Sequence, residues 1–511
     1  MSEMRQITWR LPPDISQGEI TASISGKFRC ATEPGIRSER VYYDTFDWRL
    51  LRKDMCLFCR GNHWHLVRRQ DGKVIAAAQA DGRRNRFWWD FPQSDFRRRL
   101  EKILQMRSLL PLGRVVREKT ILRLLNSDEK TVAYVELISC GNSGADEAPQ
   151  QELTLRPVRG YRGKYAKLSR YLQRLGFGEP EGPADEMQVA LQGNPRRPLD
   201  YSSRFSPVLD PKATSLAAAR TLFQDLLQTM RCNEAGILDD LDSEFLHDFR
   251  VAVRRTRSAL AMFKKVLPPE VVGGFGESFR TIGRVTGPTR DLDVYGLMED
   301  DYRARLPQWL QPGLVYFFED LREQRRRERR KLVRFLKSDA YGEIISNWRA
   351  FLDSDDHHGG RLAEVGIDRL SRRLIRKRFR RVVADGRAIT RESPDESLHR
   401  LRIQGKKLRY MLEFFRSLYP KKEMKTLITQ LKGLQNTLGD FNDLSVQLDM
   451  LRHYLETVKP GTIRSRELAA AIGGLMTNIH HEQRRVRTRF EDSFTRFASP
   501  ENTATYQRLF T

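Results

Sequence analysis

The amino-terminal part of the chain, positions 1–190, alternates short β-prone runs with turn sequences. The runs are rich in β-branched and aromatic residues, and Gly-Asn, Asp-Gly and Asn-Ser-Asp turns separate them. This pattern is typical of strands joined by tight turns. It predicts an α+β domain over residues 1–195, built on a sheet or a barrel. The predicted strands include 7–11, 55–60, 64–69, 87–91 and 132–138, and the predicted helices are 94–109 and 164–175.

Beyond this domain the pattern changes from strands to long helices. Residues 176–211 are rich in Gly, Pro and polar side chains, which predicts a linker at 196–210. Farther on, apolar residues recur every three to four positions, as on one face of a helix. We therefore expect an all-α domain over residues 211–505. Its predicted helices are 213–231, 243–267, 271–285, 291–306, 314–336, 361–389, 397–419, 422–438, 444–458 and 463–497.

The helical half contains an internal repeat. The segment LHDFRVAVRRTRSALAMFKKVLP from Leu246 aligns without gaps with LHRLRIQGKKLRYMLEFFRSLYP from Leu398, an offset of 152 in residue number. At the same offset, FRTIGRVTGPTRDLDV from Phe279 matches LKGLQNTLGDFNDLSV from Leu431. Two matches at one offset indicate a duplication. We expect two similar four-helix bundles that face each other across a pseudo-twofold axis, one around 213–336 and one around 361–497.

Each repeat carries a stripe of basic residues on its second helix. His247, Arg250, Arg254 and Arg257 lie at i, i+3, i+7 and i+10, within an arc of about 80° on a helix. Like charges at this spacing destabilise an isolated helix by about a few tenths of a kcal/mol per pair, so the stripe indicates an anionic ligand. A solvated face with a structural histidine is the alternative, and the repetition in two copies argues against it. The second copy of the stripe is His399, Arg402, Lys406 and Arg409.

The two histidines are candidate hydrogen-bond donors to phosphate, particularly when protonated. No carboxylate pair, Ser or Cys recurs beside His247 and His399, so we expect no catalysis there.

A second repeated signature follows each stripe, with the pattern G-x-x-[RN]-D-L. It contains Gly287 with Asp291, and Gly439 with Asp443. The glycines are predicted to end one helix and the aspartates to cap or orient the next. An ion pair between these aspartates and the basic stripe is the alternative.

The overall charge narrows the class of partner. The chain of 511 residues has 91 Lys plus Arg against 66 Asp plus Glu, a formal net charge of +25. An excess of this size indicates a polyanionic partner such as nucleic acid, an anionic membrane or a polyphosphate. The chain shows no apolar stretch of membrane-spanning length and no secretory signal, and its five cysteines are scattered. We expect a cytoplasmic protein without a membrane span, metal site or cofactor.

From about residue 210 to 500 the chain resembles the CHAD domain, the conserved-histidine α-helical domain. Both CHAD signatures, LH-x-x-R-x-x-x-[KR]-[KR]-x-R and G-x-x-[RN]-D-L, are present twice. The resemblance implies a basic central cavity that binds inorganic polyphosphate, association with polyphosphate granules, and no established catalysis. Polyphosphate-metabolising proteins are further candidate partners. The ligand residues that the resemblance implies are His247, Arg250, Arg254, Arg255, Arg257, His399, Arg402, Lys406, Lys407 and Arg409, with Arg280 and Lys432 added at equivalent positions on the following helices.

The amino-terminal part resembles the CYTH domain, a triphosphate-tunnel fold that often precedes CHAD. The likeness rests on segment 41–60, on two later strands, and on Glu152-Leu-Thr-Leu-Arg before a helix. Active CYTH domains begin with E-x-E-x-K, whose carboxylates hold a divalent metal. Here the strand reads Gln6-Ile-Thr-Trp-Arg, so both carboxylates are missing. The resemblance implies a non-catalytic tunnel with a degenerate metal site, whose candidate anion-binding residues are Arg60, Arg68, Arg83, Arg84 and Arg117.

Three functions therefore remain to be compared. Non-enzymatic binding of polyphosphate by the helical repeats is the leading hypothesis. An RNA- or DNA-binding protein is the first alternative, although the stripe lacks the exposed aromatic residues on which bases stack. A metal-dependent triphosphatase in the amino-terminal domain is the second, and the lost carboxylates argue against it.

Overall fold

The chain folds into two compact units. The computed structural model describes residues 6–11, 15–81, 86–142, 144, 148–179, 185–354 and 359–511. One unit comprises Met1–Ser202 and the other Ser203–Thr511. Among the described residues, no helix combines the length and apolarity that a bilayer crossing requires.

The amino-terminal unit is built on one antiparallel sheet of eight strands, accompanied by four helices. The strands are β1 (Ile7–Arg10), β2 (Cys30–Asp44), β3 (Met55–Arg60), β4 (His63–Arg68), β5 (Val74–Gln79), β6 (Leu110–Leu125), β7 (Thr131–Asn142) and β8 (Gln150–Pro157), and the helices are α1 (Gln17–Lys27), α2 (Asp95–Leu104), α3 (Arg162–Arg174) and α4 (Glu186–Ala190). The strand order in the sheet is β1-β8-β7-β6-β2-β3-β4-β5. The expectation of an α+β domain with a sheet is confirmed.

The two faces of this sheet differ because side chains alternate along each strand. On one face, apolar residues such as Trp9, Leu137 and Leu155 are buried in a core that also takes residues from α1 and α3. The opposite face carries polar side chains such as Thr154 and Glu136, together with a second buried apolar cluster that includes Val115 and Ile138. Arg40 of β2 pairs in register with Val115 of β6, and Ser38 pairs with Arg117, so these four residues lie on the same face.

The carboxyl-terminal unit is all-helical, as predicted. Each of its long helices buries a regular series of apolar residues. The helices are α5 (Ser215–Leu238), α6 (Ser243–Met262), α7 (Pro269–Gly296), α8 (Glu299–Ala304), α9 (Gln311–Leu336), α10 (Asp339–Asp353), α11 (Ile367–Arg387), α12 (Asp395–Phe414), α13 (Lys421–Thr457), α14 (Ile463–Thr488), α15 (Phe490–Phe497) and α16 (Pro500–Phe510).

The helices repeat at the same offset of 152 in residue number that relates the two sequence motifs. This shift moves α6 onto α12 and α9 onto α14 with identical bounds at both ends. The same shift moves the start of α5 onto the start of α11 and that of α7 onto that of α13. The duplication therefore extends over four long helices in each repeat.

A pseudo-twofold axis relates the two repeats. The backbone nitrogen of Ser215 donates to the Val365 carbonyl oxygen at 2.8 Å, and that of Ile367 donates to the Ala213 carbonyl oxygen at 3.0 Å. The repeat offset turns each of these hydrogen bonds into the other, as a twofold axis between them requires. Phe263 of one repeat also packs against its own equivalent, Phe415, with ring centroids 6.2 Å apart.

The predicted helix breaks at the second signature are wrong. α7 continues through Gly287 and Pro288, and α13 continues through Gly439. A proline inside a helix costs about 3 kcal/mol, and here burial of Phe279 and Ile282 on the same helix offsets that cost. The aspartates of this signature therefore lie inside helices and do not cap them.

Other differences from the predicted elements have local causes. Residues predicted as a strand at 87–91 form a short 3₁₀ turn at Trp88–Asp90, where Asp90 accepts hydrogen bonds from the backbone nitrogens of Arg86 and Phe87. The predicted helix 463–497 is two helices, α14 and α15. Several elements were not predicted, namely α1, β2, β5, β6, β8, α4, α10 and α16.

Candidate functional site

The helices that carry the basic stripes are anchored by their apolar sides. α6 begins after Asp242, whose carboxylate accepts hydrogen bonds from the backbone nitrogens of Glu244 and Phe245. Its apolar residues, including Phe249 and Val253, are buried in the bundle. α12 buries the corresponding series of leucines. The stripes consequently lie along the edge of a packed core.

Two glycines of α7 make room for the arginines of the first stripe. Arg250 donates from Nη1 to the carbonyl oxygen of Gly283 at 3.0 Å and to Oγ1 of Thr286 at 2.9 Å. A Cβ added to Gly287 would lie 3.4 Å from Nη1 of Arg250, and one added to Gly283 would lie 3.3 Å from Nη1 of Arg257. The guanidinium groups of Arg250 and Arg257 therefore lie close to the backbone of α7 at these two glycines.

Each stripe histidine pairs with a residue of the second signature. Arg290 donates from Nη2 to Nδ1 of His247 at 3.0 Å, and Nδ1 of His399 donates to Oδ1 of Asn442 at 2.7 Å. Arg290 and Asn442 are equivalent in the two repeats, at the [RN] position of G-x-x-[RN]-D-L. Residues of the two signatures therefore contact each other in each repeat. These two pairings were not predicted from the sequence.

The aspartates of the second signature face the stripe arginines. Arg402 donates from Nη2 to Oδ1 of Asp443 at 3.1 Å. Burial lowers the pKa of Arg250 and of Arg402, and the charge of Asp291 or Asp443 opposes that shift. The ion pair weighed as an alternative at the sequence level is therefore present in the second repeat.

Positive charges from the two repeats converge near the axis. Arg254 and Lys406 occupy equivalent positions, and the charge of Arg254 acts on both Arg402 and Lys406. Burial, followed by the charges of Arg402, Arg254 and Arg409, lowers the pKa of Lys406 to about 8. Neither the Arg254 nor the Lys406 side chain forms a hydrogen bond or ion pair with another described residue. The charge of Asp443 opposes the lowering of the Lys406 pKa only in part, because the surrounding positive charges outnumber it.

The remaining candidate residues have different surroundings. Arg255 donates from Nη2 to Oε2 of Glu413 at 2.8 Å and lies over the ring of Phe205 at 5.0 Å. Its side chain is only 14% exposed, and its ion pair with Glu413 links the two repeats. Its equivalent, Lys407, is exposed. Of the candidates on the following helices, Arg280 pairs with Glu277 at the surface and Lys432 is exposed.

The pair between Arg255 and Glu413 should contribute strongly to stability. We expect the substitution E413A to lower the free energy of unfolding by about 3–5 kcal/mol, because it leaves the mostly buried Arg255 guanidinium without its anion and also removes the ion-pair partner of Arg409. Chemical denaturation monitored by circular dichroism measures this loss. The control is E277A, which removes an exposed pair and should change stability by less than about 1 kcal/mol. Equal effects of the two substitutions would contradict the structural role of Arg255.

The amino-terminal unit presents its own cluster of charges. Glu186 accepts hydrogen bonds from Arg40 at 2.8 Å and from the Tyr42 hydroxyl at 2.6 Å, and Nε of Arg117 lies 3.5 Å from its other oxygen. The hydroxyl groups of Thr8 on β1 and Thr154 on β8 form a hydrogen bond of 2.9 Å.

Of the other candidate anion-binding residues, Arg60 is exposed, Arg68 pairs with Asp71, and Arg83 and Arg84 lie outside the described residues. Among the described residues, no group of three or more His, Cys, Asp or Glu side chains is arranged to hold a metal ion.

Comparison with protein families identifies a known domain within the helical unit. Residues 221–452 match the family model described as "CHAD domain". The chain therefore contains a CHAD domain, and CHAD domains are linked to polyphosphate binding. A comparison with curated protein sequences gave no match.

Comparison with solved structures found several similar proteins. The CHAD domain from the plant Ricinus communis is 23% identical, with a TM-score of 0.47, over 57% of this chain and 95% of that one. PptA from Streptomyces chartreusis is 18% identical, with a TM-score of 0.40, over 57% of this chain and 100% of that one. A third structure, the PH1819 protein from Pyrococcus horikoshii OT3, is 12% identical with a TM-score of 0.20, over 35% of this chain and 95% of that one.

Proposed function

We propose that this protein binds inorganic polyphosphate, without catalysing a reaction, in a basic site between the two repeats of its CHAD domain. The observation that carries the proposal is the convergence of Arg254 and Lys406 near the pseudo-twofold axis, where neither side chain forms a hydrogen bond or ion pair with an acidic residue among those described. A bound phosphate chain would supply the missing negative charge. Each charge-assisted hydrogen bond to phosphate contributes about 1.5–3 kcal/mol.

The site residues in this proposal have three roles. Arg250, Arg254, Arg402 and Lys406 bind phosphate groups directly, together with Arg257 and Arg409 farther along the stripes. His247 and His399 are oriented through their Nδ1 atoms, and the Nε2 edge of each ring contacts phosphate. Arg255 positions the two repeats through Glu413. Lys407, Arg280 and Lys432 add positive charge toward the surface.

The aromatic residues of the stripe helices favour polyphosphate over nucleic acid. α6 contains Phe245 and Phe249, and α12 contains Tyr410 and Phe414. All four side chains are buried in the core. Proteins that bind single strands need exposed rings on which bases stack, and neither helix offers one.

The same proposal assigns the rest of the chain. Residues 1–195 form a CYTH-like domain with a degenerate metal site, residues 196–210 a linker, and residues 211–505 the CHAD region. The amino-terminal domain is then an accessory to binding, and the protein resides in the cytoplasm, where polyphosphate recruits it to granules. The ion-paired state of Arg40 and Arg117 with Glu186 is consistent with an accessory role.

Competition between polyanions tests this function. We expect long-chain polyphosphate to bind the full-length protein at about physiological salt in a calorimetric titration, and a tenfold excess of single-stranded RNA nucleotides over phosphate residues to leave that binding within about twofold. Both ligands are polyanions, so salt dependence alone does not separate them. Displacement of polyphosphate by RNA at equal charge would contradict the proposal and favour a nucleic-acid-binding protein.

A further inference from the structure

One helix of the second repeat has a basic outer face that its equivalent in the first repeat lacks. α11 carries nine Lys and Arg residues, whereas α5 carries two. Seven of the nine fall within an arc of about 140° on the helix, and six of these seven lie between positions 369 and 380. These six residues, here named the α11 face, are Arg369, Arg372, Arg373, Arg376, Lys377 and Arg380.

The duplication provides an internal control for this face. The equivalent positions on α5 have one arginine and one aspartate, so six positive charges on α11 correspond to a net charge of zero on α5. Most of these α5 side chains are also exposed. A solvated helix surface in this fold therefore does not require arginines. The α5 positions are Ala217, Arg220, Thr221, Gln224, Asp225 and Gln228.

The charges of the α11 face are not neutralised by paired acids. None of the six side chains forms a hydrogen bond or ion pair with another described residue. Elsewhere in the helical unit, surface arginines such as Arg326 and Arg381 pair with acidic neighbours. The two acidic residues of α11, Asp368 and Asp385, both lie outside the arc.

The α11 face borders a cavity and a second group of cations. A cavity of about 650 Å³ is lined by four of its arginines, together with Asp368, Phe510 and other residues. At the exposed Lys265, the charge of Arg361, then desolvation, then the charges of Arg373, Lys264 and Lys377 lower the pKa. Cations from three chain segments thus meet beside this helix.

We propose that the α11 face is a second binding site for a phosphate chain, separate from the stripes on α6 and α12. The identity of the ligand rests on the function proposed above. The arginines from 369 to 380 extend over about 17 Å of helix, and their planar groups suit bidentate contacts with phosphate. The one aromatic residue of α11, Phe379, is buried, and none of the large exposed apolar side chains lies on this helix. The face therefore lacks both the rings that nucleic acids stack on and the apolar groups that enter a membrane.

A second site gives the protein two points of attachment to polyphosphate. A long chain can occupy both sites of one molecule, which raises its apparent affinity, or it can join two molecules. A short oligophosphate occupies one site at a time. The proposal therefore predicts a preference for long chains that depends on the α11 face.

The test replaces three exposed arginines of the face in the full-length protein. We expect R369E/R373E/R380E to weaken binding of long-chain polyphosphate at least tenfold. The matched control, R330E/R334E/K337E, makes the same change in net charge at exposed positions of α9 and its C-cap whose side chains form no ion pair with described residues, and should change affinity less than threefold. A third variant, R373T/R376Q/R380Q, introduces the residues that α5 has at the equivalent positions. This variant removes three positive charges without adding negative ones. It should therefore also weaken binding of long-chain polyphosphate, and it keeps the test valid if the glutamate variant fails to fold.

Comparison with the stripe variant R254E/K406E separates this inference from the proposed function. Equal weakening by the α11 and α9 variants would show a general effect of net charge and overturn the α11 site, as would wild-type affinity in the α11 variant. If the α11 variant lost RNA binding but kept its affinity for polyphosphate, the face would be a nucleic-acid site, and the proposal would also be overturned. If instead the stripe variant binds as wild type and the α11 variant does not, the α11 site stands and the site between the repeats fails.

Discussion

The variant R254E/K406E is expected to lose polyphosphate binding at the site between the repeats. These two side chains lie at equivalent positions in the repeats, and neither forms a hydrogen bond or ion pair with an acidic residue among those described. Their loss removes two charge-assisted hydrogen bonds of about 1.5–3 kcal/mol each, and the new carboxylates repel phosphate. We expect this site to weaken by a factor of at least about 100, measured by calorimetric titration with polyphosphate.

Single variants and a matched control make this prediction specific. R254E and K406E alone should each weaken binding without abolishing it, because one repeat keeps its cation. The variant R330E/K337E makes the same change in net charge on exposed residues without ion pairs to the described part of the chain, and should bind within about threefold of wild type. Unchanged helicity by circular dichroism shows that the fold is intact. Wild-type affinity in both single variants would refute a site shared between the repeats.

The affinity for polyphosphate should fall as the pH rises through about 8. Burial and three neighbouring arginines lower the pKa of Lys406 to about 8 in the free protein. A bound phosphate stabilises the protonated amine and so raises this pKa in the complex. Binding above pH 8 must therefore recruit a proton. Because about one tenth of Lys406 is protonated at pH 9, we expect a roughly tenfold loss of affinity between pH 7 and pH 9.

The substitution K406R provides the control for the pH dependence. Arginine stays protonated throughout this range, so the variant should bind with nearly constant affinity from pH 7 to pH 9. The titrations use a long chain, whose internal phosphates stay ionised at these pH values. An equally steep loss in wild type and K406R would assign the pH dependence to another group.

The duplication could be predicted from sequence because both copies retain the same apolar spacing. Leu246 and Phe249 recur as Leu398 and Leu401 in the same phase, so both stripe helices are recognisable. The constant offset then predicts where the second bundle begins. The contacts across the axis, such as the one between Phe263 and its equivalent, follow from that symmetry but involve residues far apart in the chain.

The partners of the stripe could not be predicted in the same way. The hydrogen bond from Arg290 to His247 joins residues 43 positions apart on two helices. Local patterns of charge and hydropathy hold no information about such a pairing. The one available signal was that the two signatures occur together in each repeat. Gly287 was misread for a related reason, since it lies inside α7, beside the guanidinium of Arg250, and does not end a helix.

The long central strands of the amino-terminal unit were also missed. β2 and β6 pair along most of their length, but both carry many charged residues and interrupted apolar runs. Their charged side chains lie on both faces of the sheet, with Arg40 and Arg117 on one face and Arg37 and Glu118 on the other. A strand with polar side chains on both faces and an irregular register shows weak alternation, and its pairing partner decides its structure.

The most direct test of the central claim is a crystal structure of the full-length protein with bound long-chain polyphosphate. We predict continuous density for a phosphate chain between α6 and α12, with phosphate oxygens within hydrogen-bonding distance of both Arg254 and Lys406. Phosphate density confined to other surfaces, with the region between these two side chains empty, would contradict the account.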